Sequence, residues 1–315
     1  MHHHRHSRMP ELDKLWVVTV ISNPARYRSR YELYKKFERH CKERGVNLLT
    51  VEAAFGQRPF EVTSPDNPHH LQLRTDDEIW HKENMINLGV QRLPHDWQYV
   101  AWIDADIEFM RDDWAEEIVH QLQHYQVIQL FQNAVDLGPS GEVIKIHDGF
   151  VYSYVSGKPL PNSKYNYPHW HPGYAWAARR EAFDELGGLM DFAILGSADH
   201  HMAWALVGKV TEFAPTFITP GYRRELLTWQ ERANVHVNKN IGYMPGSIWH
   251  HWHGRKKDRR YVERWQILAK HDYDPDQDLM HDWQGLNHLS DAGERMRVDL
   301  RRYFHVRNED SIDVG

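Results

Sequence analysis

Two carboxylates, Asp104 and Asp106, come directly after the apolar segment 99–103, which reads YVAWI. An apolar run of this length predicts a buried strand, and residues two apart on an extended chain point to the same side. Two like charges held this close repel each other unless a cation lies between them. Carboxylate oxygens suit Mg²⁺ or Mn²⁺. The Asp-Ala-Asp segment therefore predicts a divalent-cation site, with helix capping or a solvated turn as the alternatives.

The first 125 residues predict alternating strands and helices. The segment 15–22, LWVVTVIS, is almost continuously apolar, as in a strand covered on both faces. After it, apolar residues spaced three and four apart predict a helix that ends near Gly45. Two more helical patterns flank the strand at 99–103. Ligands bind at the carboxyl ends of strands in open α/β sheets, so Asp104 and Asp106 lie where a ligand site is expected.

The second half predicts a different mixture of elements. Segment 127–155 reads as longer strands around a Gly-Pro-Ser-Gly turn, and 171–189 reads as a short strand, a helix and a Gly-Gly stop. A further helix is expected to start near Ser197. From 248 a strand-like run of His and Trp precedes a strongly basic helix, and a polar tail is expected from Asp272 onward. The Pro-, Asn- and Ser-containing segment 157–173 predicts a loop that closes over the site.

Composition limits the class of protein. The chain has 315 residues, a net charge of −6 and one cysteine, Cys41, which excludes an internal disulfide and a cysteine-based metal cluster. No apolar run is long enough to span a bilayer, so a cytoplasmic protein without membrane insertion is expected. The acidic balance argues against general affinity for nucleic acid, although a local basic patch would still serve one.

The Asp104-Ala105-Asp106 motif after a buried strand resembles the DxD motif of metal-dependent glycosyltransferases of the GT-A fold. The resemblance implies an α/β fold in which a Rossmann-like nucleotide-binding half with a mixed sheet is fused to an acceptor-binding half. It implies Mn²⁺ or Mg²⁺ held by both aspartates, and a nucleotide-sugar donor, best a UDP-sugar, that Asp104 also contacts. The expected organisation is a flexible His-rich tail (1–14), a donor-binding half (15–110), an acceptor-binding half with the catalytic core (111–254), and a basic helix with a tail (255–315).

The segment 173–206 is similar to the stretch of inverting members that carries an acidic pair at a helix start. Asp199 matches the second acid of that pair, which acts as general base on the acceptor hydroxyl. Ala198 stands where the family commonly has Glu, so half of the signature is missing. The alternative for Asp199 is an acid that stabilises a helix N-terminus. With Asp199 as base the reaction is expected to invert the anomeric centre; without it, a retaining course is the better interpretation.

A late His-x-x-Gly-x-x-Lys in some GT-A enzymes supplies a metal ligand and a lysine for the diphosphate. His251, Gly254 and Lys257 have that spacing, and His253 is the competing ligand because it would share a strand face with His251. One imidazole beside carboxylates is an ordinary Mn²⁺ donor set. The alternative is that these histidines pack at a polar rim.

Two weaker matches concern the nucleotide. The segment WHKENMINLG is similar to one that lines the nucleotide site in family 2 members, with Lys82 and Asn87 as the matching residues. The loop after the first strand would bring Asn23 and Arg26 toward the nucleoside. Otherwise Lys82 extends along the edge of an apolar helix face, and the arginine is solvated.

The acceptor is predicted from the basic and aromatic run 250–265, because such runs suit a phosphate backbone with an exposed base. The chain resembles bacteriophage-type enzymes that glycosylate hydroxymethylated pyrimidines, so 5-hydroxymethylcytosine DNA in an infected or bacterial cell is the preferred acceptor. A polysaccharide, a lipid-linked sugar or a protein are the alternatives. A non-catalytic nucleic-acid- or sugar-binding protein would leave the paired carboxylates unused, and a nucleotidyltransferase would need glycines after the first strand, which ISNPARYRSR lacks.

Overall fold

The computed structural model describes residues 11–160 and 170–314. Residues 1–10 of the predicted tail and residues 161–169 of the predicted closing loop lie outside this part of the chain. The described strands are β1 (Leu15–Ser22), β2 (Asn47–Phe55), β3 (His70–Thr75), β4 (Tyr99–Ile103), β5 (Ile107–Phe109), β6 (Val127–Gln129), β7 (Asn133–Leu137), β8 (Val143–Gly149), β9 (Trp170–His171), β10 (Ala175–Arg179), β11 (Ile241–Tyr243), β12 (Ser247–His250), β13 (Leu279–His281) and β14 (Asn287–Leu289).

The helices lie between these strands and after them. They are α1 (Arg28–Glu43), α2 (Lys82–Val90), α3 (Trp114–Gln121), α4 (Phe150–Val155), α5 (Arg180–Leu186), α6 (Ala198–Leu206), α7 (Val210–Phe213), α8 (Pro220–Arg232), α9 (Arg264–Lys270), α10 (Pro275–Asp278) and α11 (Arg297–His305). None of the helices in the described ranges combines the length and apolarity that crossing a bilayer requires.

A seven-stranded sheet in the order β11-β6-β10-β4-β1-β2-β3 forms the centre of the protein. Strand β10 runs antiparallel to both of its neighbours, whereas the other pairings are parallel. The α/β fold with a mixed sheet that the sequence predicted is therefore confirmed.

Both faces of this sheet are buried, which explains its nearly continuous apolar strands. In β1, Trp16 and Val18 belong to one core cluster and Leu15 and Val17 to the other. Strand β4 is divided in the same way, with Val100 and Trp102 on one face. Residues two apart share a face of a strand, so each buried strand supplies both cores and needs apolar side chains at every position.

A second sheet, in the order β5-β12-β7-β8-β9, packs at the carboxyl end of β4. Strand β5 follows β4 after only three residues and pairs with β12. The backbone N–H of His251 donates to the carbonyl of Asp106 (2.9 Å). The end of β12 is therefore fixed beside the Asp104–Asp106 turn, although about 145 residues of chain separate the two.

Three expectations for the second half were wrong. Segment 150–155 was expected to be strand and forms α4. The basic run forms a single 3₁₀ turn, Lys256–Arg259, before the short helix α9. The chain after Asp272 is not a tail, because it forms α10, the β13–β14 pair and α11, and it buries Leu286, Met296 and Leu300 in the core. Its elements are short and separated by turns, so its apolar residues do not form a regular helical or strand spacing that the sequence would reveal.

The predicted domain boundaries stay predictions. Strands from 15–110 and from 111–254 lie in the same central sheet, so the boundary at 110 separates segments that share one hydrogen-bonded structure.

Gly89 fixes the approach of α2 to the sheet. A Cβ at this position would lie 2.9 Å from Val51 Cγ2 and 3.0 Å from Val18 Cγ1. Overpacking of this kind costs about 1–3 kcal/mol, which exceeds the gain of up to ~1 kcal/mol in helix propensity. We expect Gly89→Ala to lower the free energy of unfolding by about 1 kcal/mol in denaturant titrations. Gln91→Ala, at the exposed end of the same helix, is the control and should stay within about 0.5 kcal/mol of the parent.

Candidate functional site

A cavity of about 180 Å³ opens at the carboxyl ends of β1 and β4. Both strands run in the same direction, so their ends meet at one edge of the sheet, where Ser22 and Asp104 lie. Helices α2 and α6, the end of β12 and the C-terminal residues complete the wall. The charged side chains that line the cavity are Arg30, Lys82, Glu83, Asp104, Asp106, Asp199, Arg259, Arg264 and Arg307.

Asp104 and Asp106 both line the cavity, but they have different partners. The Lys82 ammonium forms an ion pair with Asp104 Oδ1. Burial alone would lower the pKa of Lys82, but the Asp104 carboxylate outweighs burial and raises it, so the lysine stays charged. The two aspartates were expected to share one cation, and Lys82 supplies a positive charge to the first of them.

Asp106 faces two imidazoles. Its Oδ2 lies 2.9 Å from His253 Nε2 and 3.7 Å from His250 Nε2, and the two Nε2 atoms are 3.2 Å apart. Burial alone would raise the pKa of Asp106, but His253 and His250 hold it well below its usual range. The carboxylate is therefore ionised at neutral pH.

This cluster fits a divalent ion. The three ligand atoms lie within 4.8 Å of one another, and Asp106 Oδ1 is buried without a hydrogen-bond partner among the described residues. An orphaned buried oxygen costs free energy unless a cation or donor meets it. One carboxylate with two imidazoles suits transition-metal ions, Mn²⁺ among them, better than Mg²⁺, which prefers oxygen ligands alone.

Asp136, on β7, orients His250. His250 Nδ1 lies 2.9 Å from Asp136 Oδ1, and His147 Nε2 and Lys256 Nζ lie 2.6 and 2.5 Å from Oδ2. Tyr174 also donates its hydroxyl hydrogen to Asp136 (3.0 Å). A carboxylate behind a metal-binding imidazole fixes its tautomer and leaves the other nitrogen for the ion. Asp136 therefore directs His250 Nε2 toward Asp106.

Asp199 lies in the first turn of α6 and lines the same cavity. Its Oδ1 accepts from the His200 backbone N–H (2.8 Å), which leaves Oδ2 beside Gly173, where an added Cβ would lie only 2.3 Å away. Ser197, just before the helix, has φ of +80°, a conformation that non-glycine residues adopt at a cost and often at functional sites. The structure thus places the predicted general base in the cavity that holds Asp106.

Glu83 is a carboxyl group in the cavity wall that sequence analysis did not single out. It is 5% exposed and accepts a hydrogen bond from Trp80 Nε1 (3.0 Å). Burial, reinforced by the nearby Asp199, raises the pKa of Glu83 to about 8 even though Lys82 opposes the shift. Glu83 is therefore mostly protonated at pH 7, which limits the negative charge around Asp199.

His251, the other histidine predicted to bind the metal, lies outside the cluster. His251 Nε2 lies 2.8 Å from Glu108 Oε2 on β5. The His251 imidazole therefore faces Glu108 and not the Asp106 carboxylate. Because β12 ends at His250, strand alternation does not extend from His251 to His253. The chain bends instead, and residues three apart, His250 and His253, meet.

Four predicted nucleotide contacts also lie elsewhere. Asn87 donates to the Leu189 carbonyl and accepts from the Leu189 N–H (3.0 and 2.8 Å), which joins α2 to the segment after α5. Asn23 bonds the Tyr27 backbone through both amide atoms, and Arg26 forms an ion pair with Glu61 (3.2 Å). Lys257 is exposed and is not among the cavity residues.

Arginines line the cavity where Lys257 was expected. Arg259 and Arg264 come from the same basic run, Arg30 from α1, and Arg307 from the C-terminal segment. The signal for Arg30 was its place in the first turn of α1, just after β1. Nothing in the local sequence marks Arg307, because its position depends on how the C-terminal segment folds back.

No protein-family model and no curated protein matches the sequence. Solved structures do match. The catalytic domain of Drosophila β1,4-galactosyltransferase 7 in complex with xylobiose is 13% identical, with 89% of this chain and 96% of that chain covered and a TM-score of 0.39. A variant of that protein in complex with manganese, UDP-Gal and xylobiose is 11% identical, with the same coverage and TM-score. A fragment of S. aureus TarS, residues 1–349, is 7% identical, with 82% and 68% covered and a TM-score of 0.41. Likeness at this level leaves the activity to be argued from the site residues.

The raised pKa of Glu83 makes a testable contribution to stability. Its folded pKa of about 8 lies above its ordinary value of 4.5, so its favourable contribution is complete below pH 4.5 and is lost as the pH rises to about 8. We expect Glu83→Gln to gain stability relative to the parent between pH 5 and pH 9, by about 4 kcal/mol. Denaturant titrations across this range provide the measurement, with Glu32→Gln at an exposed position as control. If the difference in free energy of unfolding between parent and variant did not change from pH 5 to pH 9, Glu83 would be ionised across that range.

Proposed function

We propose that the protein is a metal-dependent glycosyltransferase of the GT-A type, which moves a sugar from a nucleoside-diphosphate sugar, best a UDP-sugar, to an acceptor hydroxyl. The observation that carries this proposal is the meeting of two groups in one cavity at the carboxyl edge of the sheet. The first is the Asp106, His250 and His253 cluster, and the second is Asp199.

The metal-binding part rests on the donor set. Asp106, His250 and His253 would hold a divalent ion, which supplies positive charge to a departing diphosphate. Asp136 keeps His250 in the tautomer that presents Nε2 to the site. Lys82 pairs with Asp104, so the two aspartates need not share a single cation.

The chemical step rests on Asp199. Its carboxylate would take the proton from the acceptor hydroxyl while that oxygen bonds to the anomeric carbon. The bond from that carbon to the diphosphate oxygen breaks, and its electron pair leaves with the nucleoside diphosphate. Attack from the face opposite the leaving group inverts the anomeric centre. Gly173 supports this role because any larger residue there would displace the Asp199 carboxylate.

The acceptor is less well supported, because several basic residues of the run are paired with carboxylates or buried. Lys256 forms an ion pair with Asp136, Arg255 contacts Asp258 and Asp313, and Arg259 is buried. Within the run, Lys257 and Arg260 are exposed. The run therefore does not present a continuous basic surface, and 5-hydroxymethylcytosine DNA stays a prediction to be compared with glycan, lipid-linked and protein acceptors.

The histidine assignment can be tested with a matched pair of variants. We expect His253→Gln to weaken Mn²⁺-dependent UDP binding by at least about 10-fold in calorimetry, because it removes a ligand atom and loss of an outer-shell partner alone has an effect of that size. His251→Gln changes a neighbouring histidine that contacts Glu108 and should bind as the parent does. Equal binding by parent and His253→Gln, or binding that chelator does not affect, would contradict the metal site and favour a non-catalytic binding protein.

The role of Asp199 predicts a separation of binding from turnover. We expect Asp199→Asn to retain Mn²⁺-dependent UDP binding and to lower sugar transfer by about 10²–10⁴-fold. The measurement is mass spectrometry of products from a panel of UDP-sugars with hydroxymethylcytosine DNA, oligosaccharide and peptide acceptors. Full transfer by Asp199→Asn would exclude it as the base and favour a retaining course.

A further inference from the structure

Glu309 is a buried carboxylate that forms ion pairs with two arginines and lies near a histidine. Its side chain is fully buried, and both of its oxygens contact the Arg30 guanidinium. Arg307 Nε lies 2.8 Å from Oε1 and His253 Nδ1 lies 3.8 Å from Oε2. Burial alone would raise the pKa of Glu309, but Arg30 and Arg307 hold it well below its usual range. Glu309 is thus a bound anion that the chain itself supplies.

The basic groups exceed the single carboxylate. Arg30, Arg259 and Arg307 all line the cavity. Arg259 Nε and Arg307 Nη1 are buried and have no hydrogen-bond partner within the described residues. Arg259 and Arg307 are 7% and 4% exposed. Buried guanidinium N–H groups without acceptors are costly. This wall of the cavity therefore has N–H donors that Glu309 leaves without an acceptor.

The segment that carries Glu309 is held by polar contacts on the surface of α1, and we call residues 308–313 the C-terminal strap. The Asn308 N–H donates to the Tyr27 hydroxyl (3.0 Å), and Asp310 accepts from the Arg28 and Ser29 N–H groups (2.9 and 2.8 Å). The strap residues other than Glu309 are mostly exposed. Contacts of this kind open at lower cost than a packed core.

The cavity is small for a nucleotide ligand, which is consistent with a movement of the strap. Its 180 Å³ is smaller than the roughly 300–1,000 Å³ of sites that enclose a small-molecule ligand. Arg307 forms part of the wall, and Glu309 pairs with both Arg307 and Arg30. Withdrawal of Glu309 would release both guanidiniums and enlarge the cavity beside His253.

We propose that Arg30, Arg259 and Arg307 form an oxyanion site for the diphosphate group of a nucleoside diphosphate, and that Glu309 on the C-terminal strap occupies this site until the ligand displaces it. The identity of the ligand rests on the proposed function, whereas the anion site rests on the arginines alone. Guanidinium groups bind carboxylate and phosphate oxygens with the same forked geometry, which allows one anion to replace the other.

The test measures binding of inorganic pyrophosphate in the presence of chelator, so that no metal ion takes part. Glu309→Gln leaves the buried arginines without their anion, and we expect it to bind pyrophosphate at least about tenfold more tightly than the parent in calorimetry. Pyrophosphate should also raise the melting temperature of Glu309→Gln more than that of the parent. Asp278→Asn is the matched control, because Asp278 is a buried carboxylate that pairs with Arg295 away from the cavity.

A second measurement uses the parent protein and does not depend on folding of the variant. Saturating pyrophosphate should increase hydrogen exchange at the backbone amides of the C-terminal strap and leave exchange in β1 and β4 unchanged. Equal pyrophosphate affinity in parent and Glu309→Gln, or no increase in strap exchange, would overturn the proposal. Pyrophosphate binding that behaves as expected, without any turnover of nucleotide sugars, would uphold the anion site and count against the proposed function.

Discussion

Three carboxylates at one edge of the central sheet are removed from solvent, Asp104 and Asp106 in part and Glu309 completely, and each is matched by a basic group from another segment of the chain. Asp106 faces His250 and His253, Asp104 faces Lys82, and Glu309 faces Arg30. Removing one partner from such a pair leaves an uncompensated buried charge, which costs several kcal/mol. The fold must therefore deliver each partner accurately, and the arrangement of the second sheet, α2 and the C-terminal segment follows from this requirement.

The same requirement explains why the site has two layers. Asp106 needs His250, and His250 is held by Asp136, which also faces His147 and Lys256. Buried networks of this kind stabilise less than apolar packing of equal volume would, but they fix the direction of each polar atom. Here they aim two imidazole nitrogens at the carboxylate that is available to a metal ion. The geometry on which the proposed transfer depends is thus obtained at some expense of stability.

Sequence reasoning was most accurate where the signal is local. The apolar runs of β1 and β4, the stripe of α1 and the start of α6 near Ser197 follow directly from spacing. The place of Asp104 and Asp106 at a strand end follows from the same pattern. The second sheet and the C-terminal segment were less accurate, because their strands are short and their positions depend on pairing with distant partners. His250 was passed over because His251 has the His-x-x-Gly-x-x-Lys spacing, and strand alternation from His251 to His253 was assumed to continue beyond the end of β12.

The sequence by itself determined that the protein has an α/β fold, that two carboxylates end a buried strand, and that Asp199 begins a helix. These features depend on residues close together in the chain, whose spacing sets the face and the end of each element. Only the tertiary structure decided which bases meet which acids: Lys82 with Asp104, His250 and His253 with Asp106, and Arg30 with Glu309. Those pairings join segments up to about 280 residues apart. A charge removed from water needs an opposite charge nearby, and which basic residue lies nearby is set by packing rather than by spacing along the chain.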